Sequence, residues 1–206
     1  MRPGQGNGEN RPTPLTPAAL ARGLRALLAG RPQADGLWLF GYGALMWRPG
    51  DDFTAVERVR LDGRRRSFCT WSRIARGSPG RPGLGLGLVP GGTVEGLALW
   101  LPAAAFDDAM PGIWRQEMYV GLYRPEWLQA EALDGGPARP VLAFVAEPEH
   151  PQFAADLPLQ DQAAAIGAAV GENGSCREYL EQTVAALRRW RLKDAEMEEL
   201  MRLVDR

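Results

Sequence analysis

The sequence predicts an α+β fold in which residues 37–146 form a closed or nearly closed mixed β-barrel and most of residues 159–204 form helices packed outside it. Two observations predict this fold. A series of short apolar segments in the centre of the chain suits strands with few helices between them. Beyond residue 159, apolar residues recur every three to four positions, which is the period of a helix. The length of 206 residues suffices for one domain with attached helices.

The central segments supply six or seven candidate strands. They cover residues 37–40, 56–61, 66–71, 84–88, 94–101, 120–123 and 141–146. In the fourth, leucine alternates with glycine, so one face carries no side chains and we expect another part of the protein to pack closely against it. Gly91 and Gly92 predict a turn between the fourth and the fifth candidate.

The helices are predicted from their caps and apolar stripes. Thr16 followed by Pro17 predicts the start of an N-terminal helix over residues 16–30. Ser175 and Glu178 form an S-x-x-E capping box, which predicts the start of another helix. Two further helices are expected over residues 159–170 and 194–204.

The N-terminal segment and the net charge of the chain argue against several classes of protein. Residues 1–15 are polar and rich in glycine and proline, which predicts a disordered tail ahead of a domain over residues 37–206. We find neither a signal-peptide core nor a stretch long enough to span a membrane, so a cytoplasmic protein without a membrane partner is expected. The net charge of −1 argues against nucleic-acid binding. The sequence gives no indication of the oligomeric state.

Residues for metal or nucleophile chemistry are scarce. Cys69 and Cys176 are the only cysteines and form no C-x-x-C pair, which favours a reducing compartment and argues against a metal site. His150 is the only histidine and lies between Glu149 and Pro151 in a predicted loop. A Ser-His-Asp or Cys-His site would depend on this one side chain.

A glycine-rich turn follows the first predicted strand. It reads Gly41, Tyr42, Gly43, Ala44, Leu45 and Met46. Two glycines allow a sharp turn whose successive N–H groups point at one spot, an arrangement that binds an anion such as a carboxylate. The third glycine of a dinucleotide fingerprint would fall at Met46, and no Gly-Lys-Ser/Thr follows, so nucleotide motifs do not fit. On spacing alone, an ordinary strand-ending turn is the commoner interpretation.

Glu117 is the candidate acid/base. Its neighbours Trp114, Met118 and Tyr119 could hold the carboxyl group in apolar surroundings. Desolvation would then raise the pKa of the carboxyl group toward neutral pH, where it can both take and give a proton. The alternative is a surface glutamate next to core residues.

An arginine-rich stretch carries two aromatic residues, Phe68 and Trp71. Its arginines are Arg64, Arg65, Arg66, Arg73, Arg76 and Arg81. A nucleic-acid surface, a solvated strand face, and one arginine that faces a small anionic substrate all remain possible interpretations. Further along the chain, a thiol at Cys176 could have a lowered pKa at a helix start, or be a buried small hydrophobe.

Together these segments resemble the ChaC family of γ-glutamylcyclotransferases. The family's Tyr-Gly-Ser-Leu turn reads Tyr42-Gly43-Ala44-Leu45 here, and Trp114-Arg115-Gln116-Glu117-Met118 is similar to the segment with the family's catalytic glutamate. Similar stretches occur, in the same order, at residues 66–72, 76–79, 82–88, 91–98 and 174–183. The resemblance covers about residues 37–204 and implies a γ-glutamylcyclotransferase-like mixed β-barrel with peripheral helices.

The resemblance also implies a reaction and a site. The α-amine of glutathione attacks its own γ-carbonyl to give 5-oxoproline and Cys-Gly, with Glu117 as the catalytic acid/base and with no cofactor or metal. Substrate-binding residues would be Gly41, Tyr42, Gly43, Ala44, Leu45 and Met46, together with Arg73 for a substrate carboxylate and Tyr179 for a hydroxyl contact. We expect Glu117 to point into the same cavity as the turn.

Ala44 departs from the family pattern, because the family has a serine there. The hydrogen bond of that hydroxyl is missing, which bears on substrate affinity or choice more than on the chemistry. A cyclotransferase for other γ-glutamyl amino acids or amines, and a non-enzymatic regulator with the same fold, are the two alternatives. Intact Glu117 argues against the regulator.

Overall fold

A computed structural model describes residues 13–154 and 157–206 and has a five-stranded barrel at its centre. The strands are β1 (Gly36–Gly41), β2 (Ala55–Ser72), β3 (Gly83–Pro102), β4 (Tyr123–Ala132) and β5 (Arg139–Ala146). Their order around the barrel is β1-β3-β2-β4-β5, and β5 closes the barrel by pairing with β1 in parallel. The other neighbours are antiparallel. The predicted mixed barrel is therefore confirmed.

The longest hairpin joins β2 to β3 and corrects two strand predictions. Residues 56–61 and 66–71 belong to one strand, and Gly91 and Gly92 do not end a strand but lie inside β3. The pairing register shifts at this point, opposite Gly63, and all three glycines have positive φ. Such irregularities bend a strand without ending it, because glycine adopts positive φ without strain.

The strand predicted over residues 120–123 is also wrong. Gly121 has a φ of +70° and its N–H donates to the carbonyl of Met118, so this segment is a turn. Strand β4 begins only at Tyr123.

Five helices surround the barrel in the described residues: α1 (Pro17–Ala29), α2 (Phe106–Met118), α3 (Leu159–Ala168), α4 (Cys176–Arg189) and α5 (Ala195–Val204). The predicted caps are present: Thr16 accepts from the N–H of Ala19, and Ser175 and Glu178 form a complete capping box. Helix α2 was not predicted, because Pro111 and Gly112 interrupt its pattern and Ala105 offers no capping side chain. Two short strands, β6 (Val170–Gly171) and β7 (Gly174–Ser175), pair just before α4.

Two apolar cores position the site. In β1, Trp38 and Phe40 belong to the core shared by the barrel interior and helices α3–α5, whereas Leu37 and Leu39 pack under α2. The same alternation holds for β5, where Phe144 belongs to the second core. Strand β1 is thus buried on both faces, and α2 is fixed against the outer wall of the barrel.

The predicted disordered tail, residues 1–15, lies mostly outside the described residues. Its last residue, Leu15, donates its N–H to the carbonyl of Tyr119 at 2.9 Å. No helix in the described part of the chain is long and apolar enough to cross a membrane.

Candidate active site

The glycine-rich turn leaves three backbone donors without partners among the described residues. Residues Ala44–Met46 form one 3-10 turn, in which the N–H of Met46 donates to the carbonyl of Gly43 at 2.9 Å. Within the described residues, the N–H groups of Gly43, Ala44 and Leu45 have no hydrogen-bond acceptor. They remain available to an external acceptor, as an anion-binding turn requires.

A buried arginine holds the start of this turn. The Nε of Arg66 donates to the carbonyl of Tyr42 at 2.6 Å, and its Nη2 donates to the carbonyl of Glu95 at 2.7 Å. Its Nη1 pairs with Asp194, the N-cap of α5, and the Arg66 side chain is fully buried. Burial lowers the pKa of Arg66, and Asp194 opposes this shift. The guanidinium that fixes the carbonyl of Tyr42 is therefore itself held at two further points, the carbonyl of Glu95 and the carboxylate of Asp194.

Glu117 lies in the last turn of α2 and is half-buried. Desolvation raises the pKa of its carboxyl group to about 7, from an ordinary value of 4.5. Among the described residues no cation or donor offsets this shift, since desolvation is its only cause. A carboxyl group with this pKa exists in both protonation states near neutral pH, which suits a group that alternately accepts and donates a proton.

Three tyrosines lie close enough to Glu117 for its charge to raise their pKa values. They are Tyr42, Tyr123 and Tyr179, and burial contributes more to each shift than Glu117 does. The hydroxyl of Tyr42 donates to the carbonyl of Phe144 at 2.8 Å, and that of Tyr123 donates to the carbonyl of Leu86 at 2.7 Å. All three phenols are therefore neutral at physiological pH, and Glu117 is the group in this set that titrates near pH 7.

Tyr179 connects the turn to α4. A Cβ atom built on Gly43 would lie 3.1 Å from the Tyr179 hydroxyl, so a larger residue at position 43 would crowd this oxygen. The Tyr179 ring contacts Trp47 and Phe68 edge-on, at centroid distances of 5.7 and 5.8 Å. Its hydroxyl has no hydrogen-bond partner within residues 13–154 and 157–206, in contrast to the other two phenols. This hydroxyl is free to contact a ligand.

The arginine next to Tyr179 is Arg76. Its guanidinium carbon lies 4.8 Å from the centroid of the Tyr179 ring, and its Nη1 donates to the carbonyl of Asn173. Arg73 is half-buried in the loop between β2 and β3 and makes no ion pair or aromatic contact with another described residue. The structure thus brings Glu117, the turn and Tyr179 together, and adds Arg76, whereas a substrate contact for Arg73 stays a prediction.

Sequence reasoning did not select Tyr123 as a site residue. Tyr123 starts β4 six residues after Glu117, with the Gly121 turn between them. Because the turn interrupts both the helix period and the strand period, neither pattern predicts that Tyr123 lies near Glu117. Arg76 could have been chosen from its segment, residues 76–79, which already resembled the family.

The remaining candidates have structural roles. The Cys176 thiol donates to the carbonyl of Leu84 at 3.1 Å, and burial raises the pKa of this thiol to about 11, which disfavours a reactive thiolate. His150 contacts the carbonyl of Val120 through Nε2 at 3.0 Å and accepts the N–H of Gln152 at Nδ1. In the described part of the chain, no three His, Cys, Asp or Glu side chains are grouped as metal ligands would be.

The family model and the curated relatives point to one family, and a solved structure shares the fold. The model of the ChaC-like protein family matches residues 37–206. A glutathione-specific γ-glutamylcyclotransferase of Escherichia coli (strain K12) is 38% identical over 160 residues, which cover 78% of this chain and 69% of that protein. Glutathione-specific γ-glutamylcyclotransferase 1 of Homo sapiens is 31% identical over 155 residues, covering 73% and 68%. The crystal structure of a γ-glutamyl cyclotransferase specific to glutathione from yeast has a TM-score of 0.77 at 17% identity, over 84% of this chain and 96% of that one.

Proposed function

We propose that this chain, which belongs to the ChaC-like protein family, is a γ-glutamylcyclotransferase that converts glutathione to 5-oxoproline and Cys-Gly, with Glu117 as the general acid/base. One observation carries the proposal. A carboxyl group with a pKa of about 7 lies among neutral tyrosines, one of which contacts a turn with unpaired N–H groups. The relatives named above act on glutathione, which gives the substrate class.

The turn and its neighbours bind the γ-glutamyl part of the substrate. The N–H groups of Gly43, Ala44 and Leu45 donate hydrogen bonds to the substrate α-carboxylate. This agrees with the substrate-binding role predicted for residues 41–46. The Tyr179 hydroxyl donates to a polar group of the substrate, and Arg76 supplies positive charge beside it. Binding at several points folds the flexible substrate so that its amine approaches its γ-carbonyl, and such proximity accounts for a large part of the rate enhancement.

Glu117 then moves protons between the two nitrogens. The substrate α-amine begins as an ammonium, which must lose two protons to become the lactam N–H. The carboxylate form of Glu117 takes the first, the amine attacks the γ-carbonyl carbon, and the C–N bond to the cysteine nitrogen breaks. The departing nitrogen gains two protons and leaves as an ammonium, so Glu117 returns to its starting state and no water is consumed.

Ala44 favours a second candidate within the same chemistry. Without the serine hydroxyl of the family turn, the site has one donor fewer near the substrate. A cyclotransferase that prefers other γ-glutamyl amino acids or amines is therefore the alternative. Release of 5-oxoproline from glutathione and from γ-glutamyl-alanine, measured side by side with purified protein, separates the two. A protein that releases it from neither substrate would fit the non-enzymatic regulator instead.

The proposal extends to the domain boundaries and to the cellular location of the protein. Residues 37–206 constitute the catalytic domain, and residues 16–30 an added helix. Both cysteines are free thiols in the structure, which supports a reducing, cytoplasmic location.

A further inference from the structure

We propose that helix α1, together with Trp114, positions the end of α2 that carries Glu117, so that a segment outside the matched family region controls the catalytic carboxyl group. The family model begins at residue 37, whereas α1 spans Pro17–Ala29. The proposal rests on the proposed function, in which Glu117 moves the protons. It assigns α1 a positioning role and no contact with the substrate.

Helix α1 packs beside α2, over the apolar core that α2 shares with the barrel wall. The leucines of its apolar stripe pack against the second core, which contains Phe106, Met110 and Trp114 of α2; they are Leu20, Leu24, Leu27 and Leu28. None of the α1 residues is itself fully buried, so α1 is a covering helix rather than a core helix. Helix α1 and the barrel wall therefore both contact the buried face of α2, which is held between them along that side.

Trp114 is the contact through which α1 reaches the site. Its indole Nε1 donates to the carbonyl of Leu20 at 2.9 Å. Gly23 approaches the ring so closely that a Cβ at this position would lie 2.8 Å from Cζ2 of Trp114. The same ring lies 6.2 Å from the ring of Phe144, whose carbonyl accepts the Tyr42 hydroxyl.

A second contact lies beyond Glu117. The N–H of Leu15, just ahead of α1, donates to the carbonyl of Tyr119, the C-cap residue of α2. Carbonyls at a helix C-terminus lack partners within the helix, so this bond satisfies one of them and fixes the helix end. Glu117 thus lies between two points, Trp114 and Tyr119, that are both held from the N-terminal side of the chain.

A shift of α2 by a fraction of an ångström would move the carboxyl group relative to the reacting nitrogens and admit water. Misplacement of about 1 Å can cost about 100-fold in rate. The titratable groups that face Glu117 are Tyr42 after β1, Tyr123 on β4 and Tyr179 on α4, and the pKa values of all three lie far above neutral. A change in titration near pH 7 therefore reports Glu117 itself.

The test uses Gly23→Val in the full-length chain, with Ala26→Val on the exposed side of the same helix as its matched control. We expect Gly23→Val to lower kcat about 10- to 100-fold with KM changed less than about twofold. NMR titration of 13C-labelled glutamate carboxyl groups, assigned with Glu117→Gln, should show the Glu117 pKa falling from about 7 toward 4.5. The control should keep both values.

Trp114→Phe repeats the test if Gly23→Val does not fold, because it keeps an aromatic ring but removes the bond to Leu20 and the indole edge that contacts Gly23. Unchanged kcat and unchanged Glu117 pKa in the folded variant, even with a lower melting temperature, would reduce α1 to a stabilising helix and overturn the proposal. A rise in KM with unchanged kcat would also overturn the proposal. If the wild type releases no 5-oxoproline, the proposed function is wrong. The NMR titration needs no turnover, so the effect of α1 on the Glu117 pKa can still be measured.

Discussion

Replacing Glu117 with glutamine should make the protein more stable at pH 8 while lowering its activity at least about 100-fold. The native state holds a carboxyl group with a pKa of about 7, whereas the ordinary value of 4.5 applies once the chain unfolds. Between these values the native state binds a proton that the unfolded state has released. The free energy of unfolding of the wild type therefore falls as pH rises from about 4.5 to about 7, and levels off above that.

The magnitude follows from the width of this window. The folded-state pKa of about 7 exceeds the ordinary 4.5 by 2.5, which at about 1.4 kcal/mol for each pKa unit amounts to about 3 kcal/mol for the desolvated carboxylate at pH 8. Glutamine has the same shape and no charge, so the variant does not carry this cost. Glu117→Gln should thus be more stable than the wild type at pH 8 by up to about 3 kcal/mol, with the difference largely gone at pH 4.5.

Urea unfolding of both proteins at pH 4.5, 6 and 8 measures this difference. Asp108→Asn, on the exposed face of the same helix, is the matched control for replacing a carboxylate with an amide outside the site. A stability difference between Glu117→Gln and wild type that is the same at all three pH values would mean that the carboxyl group is not desolvated. The reasoning about the acid/base would then lose its physical basis.

Other substitutions test the rest of the site. Tyr179→Phe removes a hydroxyl without a partner in the described structure, so it should leave stability unchanged and lower kcat/KM up to about tenfold; a large loss of stability would contradict this. Arg76→Ala should raise KM about 10- to 100-fold in steady-state assays, the worth of one charge-assisted hydrogen bond, and more than Arg73→Ala does; the opposite ranking would restore Arg73 as the substrate arginine. Arg66→Met should lower the free energy of unfolding by about 3–5 kcal/mol, because it leaves the Asp194 charge without its partner; a melting curve like that of the wild type would argue that the buried pair does not hold the turn.

Local signals in the sequence were sufficient for part of the fold. The capping box at Ser175 and Glu178 and the Thr16-Pro17 start depend on neighbours within one helical turn, and both are confirmed. The candidate strands at residues 37–40 and 141–146 likewise lie within β1 and β5. Such features depend on residues that are adjacent in the sequence, so no tertiary contact is needed to predict them.

Features that depend on distant contacts were missed. Gly91 and Gly92 have the composition of a hairpin turn, but β2 pairs with β3 on both sides of them, and only that pairing shows a bend. Helix α2 contains Pro111 and Gly112 and is held by packing against the barrel and α1 rather than by propensity. The helix that carries Glu117 was therefore the least predictable one from its own residues.

The site shows the same division. The turn and Glu117 are predicted as site residues from composition and resemblance together, whereas the contact between Arg76 and Tyr179 joins residues about one hundred positions apart in the sequence. Tyr123 reaches the site only because β4 follows an unpredicted turn. Contacts between residues of different helices and strands cannot be predicted from a period or motif within one of them.

The central claim is that Glu117 catalyses an intramolecular aminolysis, and incubation of glutathione with the protein in H2(18O) tests it most directly. Mass spectrometry should find 5-oxoproline and Cys-Gly in equal amounts, with no 18O in the lactam, because ring closure consumes no water. Folded Glu117→Gln should form both products at least about 100-fold more slowly, the lower end of what general acid–base catalysis contributes. Glutamate labelled with 18O, or Glu117→Gln turnover near that of the wild type, would contradict the account.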